Sequence, residues 1–338
     1  MGPKTLLGCW VILKTTRKYK NNYMTIVTKK TILITDSLFI FSEHENILKN
    51  AGYEIERLDK PNATEEELIK VIKGKAGYIL GGIEKVTDKA IEAADELKVI
   101  IFTGSDWLNF IPGHELATRK GIAIANTPGA NTYAVSEYTI SMILALTRNI
   151  FELGRTGKTS FQVRPSLKEL TVGIIGMGHI GSKVAGMLKG LEAGKIIYNS
   201  RQQKPEVEKQ TGATFSDLET VLKTSDIVSL HFSKEAGAGF IDEKKLALMK
   251  DGALLVNCGF TGAINNDALF KELKSGRLRA VQDDPVGPEF NDLPLSNWFG
   301  SNSHTAFNTH EANKKASDMA TESMINLLSK GEDKYKVN

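Results

Sequence analysis

The chain has 338 residues, 41% of them apolar and 25% charged, with a formal net charge of +3. Its length exceeds one ordinary core and suits two domains, and so mild a charge offers no basic field for nucleic acid. The two cysteines, Cys9 and Cys258, exclude a disulfide scaffold or a four-cysteine zinc site and fit a reducing, cytoplasmic setting, and no apolar run reaches the ~18 residues of a membrane span.

Taken in order, the chain opens on a short apolar run, Leu6–Leu13, after Lys4. Lys14, Arg17, Lys18 and Lys20 follow it where a secretion signal would place small residues and a cleavage site, so a signal peptide is rejected. Residues 1–24 are expected to form an extension outside the fold. Strands are then predicted at Thr31–Thr35, Ile55–Leu58, Gly77–Leu80, Val99–Phe102 and Ile122–Ala125. Helices are predicted between them at His44–Asn50, Glu65–Lys73 (capped by Thr64) and Asp88–Ala94. This alternation implies a smaller α/β layer with a parallel sheet. Ala130–Thr147 reads as a long, mostly apolar helix buried between domains, and residues 152–168 as a polar loop.

Thr171–Arg201 is the most informative stretch. A short apolar run, Val172–Ile175, meets Gly176-x-Gly178-x-x-Gly181. A helical pattern and a second apolar run follow, the latter ending in Asn199-Ser200-Arg201. That is the strand, tight turn, helix and strand of a dinucleotide-binding unit. Backbone N–H groups near His179 and Ile180 would face a pyrophosphate, helped by the helix dipole. A ribose 2′-hydroxyl wants a carboxylate at the end of the second strand, whereas a 2′-phosphate wants a hydroxyl and a guanidinium. Ser200 and Arg201 therefore favour NADP(H), with NAD(H) as the alternative. The alternation continues with strands at Ile227–Leu230, Ala253–Val256 and Ala280–Gln282. Helices are predicted at Leu218–Lys223, Glu243–Met249 and Asp267–Ser275. A final helix over about residues 311–328 should return to the first domain.

Six segments together resemble the D-isomer-specific 2-hydroxyacid dehydrogenase family. They are N-T-P-G-A-N-T-Y-A-V-S-E (126–137), G-I-I-G-M-G-H-I-G (173–181), S-D-I-V-S-L-H (225–231), M-K-D-G-A-L-L-V-N (249–257), N-D-A-L (266–269) and S-H-T-A (303–306). The resemblance covers nearly everything after about residue 30. It implies an α/β protein of two Rossmann-like domains with a cleft between them: a flavodoxin-like substrate domain and a doubly wound, parallel-sheet nucleotide-binding domain. The substrate domain would comprise 25–126 and 306–338, and the NADP-binding domain 127–305. It also implies a homodimer and a small carbonyl or hydroxy substrate, with no nucleic-acid or membrane partner and no metal.

Hydride transfer to a carbonyl needs a proton donor at the developing alkoxide and a group that holds the substrate. By the resemblance, His304 matches the family's acid/base and Glu289 its paired carboxylate. Asp284 matches the aspartate that contacts the nicotinamide, with Cys258 packed beside it and His231 at the cofactor edge. Gly104 and Ser105 match the substrate loop, followed here by Asp106. Phe260 stands where the family has arginine, and a phenyl ring can neither pair with a carboxylate nor carry positive charge. Two readings stay open: a reductase whose substrate is a 2-oxo acid or, given Phe260, a ketone or aldehyde; and a catalytically impaired NADP(H)-binding sensor or scaffold. Another cation, such as Arg148, replacing the arginine is a third.

Overall fold

A computed structural model describes residues 29–35, 38–156, 163–232, 237–259, 262–283, 286–301 and 303–338. The expected 1–24 extension lies outside the described residues, as do Asp284 and Phe260. The strands run in chain order as β1 (Thr31–Thr35), β2 (Glu54–Leu58), β3 (Lys75–Leu80), β4 (Val99–Phe102), β5 (Ala123–Asn126), β6 (Thr171–Ile175), β7 (Lys195–Asn199), β8 (Thr214–Phe215), β9 (Ile227–Leu230), β10 (Leu254–Asn257), β11 (Arg279–Gln282) and β12 (Trp298–Gly300).

They form two sheets, both parallel throughout. The five-stranded sheet has the order β2-β1-β3-β4-β5, and the seven-stranded sheet β12-β11-β10-β9-β6-β7-β8. The first order is that of flavodoxin and the second is doubly wound, reversing between β6 and β9. Strands such as Leu254–Asn257 and Ile227–Leu230 are buried along their whole length, as expected where helices cover both faces of a parallel sheet.

The predicted helix after Thr64 forms at Glu65–Val71 with a reciprocal cap. Thr64 Oγ1 accepts from the Glu67 amide (3.3 Å), and the Glu67 carboxylate accepts from the Thr64 amide (2.9 Å). The long apolar helix spans Thr132–Thr147 and packs Val135, Ile143 and Leu146 into the core of the seven-stranded sheet. The final helix, His310–Lys330, does return to the first sheet, burying Ala316, Ala320, Met324 and Leu327 against Ile32, Ile34 and Ile79.

Sequence reading missed several short elements. Part of the supposed polar loop is helical, at Ile150–Thr156, and further helices lie at Trp107–Phe110, His114–Arg119 and Pro205–Thr211. The edge strands β8 and β12 have two and three residues, too short for a period-2 pattern to register. The C-terminal residues also add to the first sheet. Val337 donates to the Ile124 carbonyl (2.9 Å), and Asn338 Oδ1 accepts from the Ile124 amide (2.7 Å). No helix among the described residues is long and apolar enough to cross a membrane.

Candidate functional site

The chain passes between the sheets twice, after β5 and before the final helix, and both crossings meet functional candidates. At the first, the Thr127 amide donates to the Gly104 carbonyl (3.1 Å) and Asn126 Nδ2 to the Ser105 carbonyl (3.1 Å). At the second lie His304 and Phe307, and the Phe307 ring packs against the cores of both sheets.

The register of the seven-stranded sheet aligns the remaining candidates. Gln282 pairs with Asn257, Asn257 with Leu230, Leu230 with Ile175, and Ile175 with Asn199. The next residue of each strand therefore falls on one line along the carboxyl edge: Asp283, Cys258, His231, Gly176, Ser200. Parallel strands lie ~4.8 Å apart, so the four intervals from Asp283 to Ser200 span roughly 19 Å. That edge, with the reversal of strand order at its middle, is where open α/β sheets bind ligands.

The glycine turn has the geometry its spacing predicts. Gly176 adopts φ +97°, a conformation that favours glycine, and its backbone abuts His231 and Phe232. Gly181 packs so closely on the strand that a Cβ there would meet the Gly176 backbone and Ile174 Cγ2 (3.3 Å). Gly178, at the start of the helix His179–Gly190, differs from both: among the described residues nothing lies within 4 Å of where its Cβ would be. A phosphate can thus approach the backbone N–H groups of His179 and Ile180 along an open face. The turn fits a dinucleotide pyrophosphate.

At the far end of the line, the Ser200 hydroxyl donates to the Gln202 carbonyl (2.5 Å), shaping the turn that carries exposed Arg201. A carboxylate does lie near this end, but Glu208 is engaged, accepting from Tyr198 Oη (2.9 Å) and from Gln203 Nε2 (3.0 Å to each oxygen). In the middle, His231 Nε2 lies 2.8 Å from Ser229 Oγ, and its Nδ1 is buried with no hydrogen-bond partner among the described residues. Burial lowers the imidazole to about 4, so it is neutral at ordinary pH. Cys258 is a buried thiol.

At the near end, His304 Nδ1 lies 3.0 Å from the Asp283 carbonyl oxygen. A carbonyl only accepts, so Nδ1 carries the proton and Nε2 is the position for proton exchange. The half-exposed imidazole also lies 4.0 Å from the Asp283 carboxylate, which is 1% exposed. Tyr138, on the long central helix, senses the same corner: burial and then the charges of Asp283 and Cys258 push its hydroxyl up to about 12.

The expected pairing of His304 with Glu289 is not made. Glu289 sits exposed in the short turn Pro288–Asp292, its carboxylate folded back over Gly287, and among the described residues no hydrogen bond or ion pair joins it to His304. Sequence reading did not single out Asp283; Asp284, which it expected at the nicotinamide, lies outside the described residues. Asp283 was identifiable as the first residue after the predicted strand Ala280–Gln282. On the substrate side, the buried Glu84 accepts from the Thr35 hydroxyl and from Tyr78 Oη (2.7 Å), just beyond Gly81 and Gly82. Asp106 is exposed at the start of the helix Trp107–Phe110.

Residues 140–312 match the family model described as D-isomer specific 2-hydroxyacid dehydrogenase, NAD binding domain. A glyoxylate reductase of Thermococcus litoralis is 34% identical over 301 residues, covering 83% of this chain and 88% of that protein. Among solved structures, the TT0316 protein of Thermus thermophilus superposes with a TM-score of 0.80 at 26% identity, over 91% of this chain and 100% of that one. An acyclic imino acid reductase solved with NADPH and D-Arg does so with a TM-score of 0.78 at 26% identity, over 91% and 100%.

Proposed function

The chain belongs to the D-isomer specific 2-hydroxyacid dehydrogenase family, and from that premise we propose that it is an NADP(H)-preferring carbonyl reductase with His304 as proton donor. It is an NAD(P)-dependent oxidoreductase acting on CH–OH donors. The nicotinamide, when bound, supplies or accepts the hydride. Gly176, Gly178, His179, Ile180 and Gly181 would hold the pyrophosphate, and Ser200 and Arg201 the ribose phosphate. His304 gives a proton to the developing alkoxide from Nε2 while Nδ1 stays anchored on the Asp283 carbonyl. The observation that carries this reading is that anchored imidazole, standing at one end of the same sheet edge whose middle holds the glycine turn. A binding module has no use for it, which favours the enzyme over the sensor or scaffold.

Cofactor preference follows from the far end of the edge. Glu208 is committed to Tyr198 and Gln203, and Arg201 offers charge to a 2′-phosphate. Arg201→Ala is expected to weaken NADPH binding about tenfold and leave NADH nearly unchanged. Fluorescence titration of both cofactors reads this; equal losses would remove Arg201 from the phosphate.

Substrate class follows from Phe260, in the arginine's place by the motif alignment, and from the acids Glu84 and Asp106 on the substrate side. An anionic carboxylate lacks its usual cation there, so we assign a ketone or aldehyde without an adjacent carboxylate. Turnover of pyruvate, glyoxylate and hydroxypyruvate is expected to be slow. An NADPH-oxidation screen over 2-oxo acids, ketones and aldehydes tests this, and fast reduction of any 2-oxo acid would overturn the assignment. For the homodimer, Tyr133, Ile150 and Leu153, exposed on and just after the central helix, offer apolar surface to a second copy.

A further inference from the structure

We infer that Asp283, rather than Glu289, is the residue that positions and charges the His304 imidazole. This rests on the proposed role of His304 as proton donor. Three contacts converge from the one residue. Its main-chain oxygen accepts from Nδ1–H (3.0 Å) and so selects the tautomer. Its carboxylate lies 4.0 Å from the same nitrogen and, among the described residues, is the one carboxylate within that distance. The two carboxylate oxygens also accept the Thr305 amide (3.0 Å) and the Ala306 amide (2.7 Å).

The third contact explains the backbone. His304 has φ +46°, in the left-handed region that side chains with a Cβ rarely occupy and that persists where surroundings over-determine it. The carboxylate grips the two peptide groups immediately after His304 and holds the turn, which aims the ring. Because Asp283 is 1% exposed, water screens its charge little, and a nearby anion favours the imidazolium. The other titratable groups facing this corner, among the described residues, are Tyr138, pushed up to about 12 and therefore neutral, and the buried Cys258 thiol. Glu289 lies exposed over Gly287, in no position to do the same work.

The test is ¹⁵N-histidine NMR titration of the full chain without substrate, with the His304 signal assigned by its loss in H304A. In Asp283→Asn, the amide NH₂ faces one of the two backbone donors and the charge is gone. The imidazole midpoint is expected to fall by about one pH unit, and the alkaline limb of the kcat profile for reduction, where the proton donor is lost, to move down with it. Asp283→Glu should restore the midpoint at least partly, and Glu289→Gln should leave it unchanged. A purely structural aspartate would lower stability without moving the midpoint, which would overturn the inference, as would a fall in Glu289→Gln. Should Asp283→Asn not fold, Glu289→Gln decides alone by the same criterion. Because the titration needs no turnover, it reads the pairing even if the protein reduces nothing.

Discussion

His304→Ala is expected to lower kcat by ~10²–10⁴-fold while NADPH binding is unchanged. That range is what a positioned proton donor contributes to a transition state in which an alkoxide develops. The two effects separate because of where the residue stands. His304 lies at the Asp283 end of the edge, and the pyrophosphate turn lies three strands away at Gly176. The side chain is half exposed, so its removal opens no core cavity, and the fold should keep its stability. The measurement is steady-state NADPH oxidation with the best substrate from the screen, beside a fluorescence titration of NADPH. Full activity in the alanine variant would mean that the proton comes from elsewhere. Tyr138, which feels the charge of Asp283, is one alternative, but a hydroxyl pushed up to about 12 holds its proton too tightly to match a donor working near neutrality.

The parts that sequence reading found best were those whose physics is local. Val172–Ile175, the three glycines and the helix behind them each follow from short-range rules, and the structure assembles them as those rules require. The same holds for the Thr64 cap, which needs only Glu67 three residues on. What stayed illegible depends on register between distant segments. That Asp283, Cys258, His231, Gly176 and Ser200 form a line follows from pairing strands spread over more than a hundred residues, which periodicity does not encode. That the Asp283 carboxylate accepts from the Thr305 and Ala306 amides depends on a contact across more than twenty residues, which no local pattern encodes. Glu289 was placed by motif spacing, and the turn Pro288–Asp292 that directs its side chain over Gly287 carries no periodic signal.

The glycine turn allows a variant that separates binding from folding. Gly178→Val is expected to weaken both NADPH and NADH by on the order of 10²-fold, ~2.8 kcal/mol at 1.4 kcal/mol per decade, and to leave thermal stability nearly intact. The reasoning is geometric. Gly178 has φ −84°, which any residue can adopt, and a Cβ there meets nothing within 4 Å among the described residues. The protein itself has no objection to a side chain at that position. The space it would enter is the approach a pyrophosphate needs to the N–H groups of the helix start. Gly181→Ala provides the contrast, since its Cβ would be driven into the Gly176 backbone. It should lose stability and binding together. Arg201→Ala, by comparison, is expected to weaken the phosphorylated cofactor and spare NADH. Three variants within one βα unit thus predict three different patterns across two titrations and one unfolding curve. If Gly178→Val bound both cofactors as tightly as the parent, the open face at the turn would not be the pyrophosphate site, and the alignment of the whole carboxyl edge with a bound dinucleotide would fail with it.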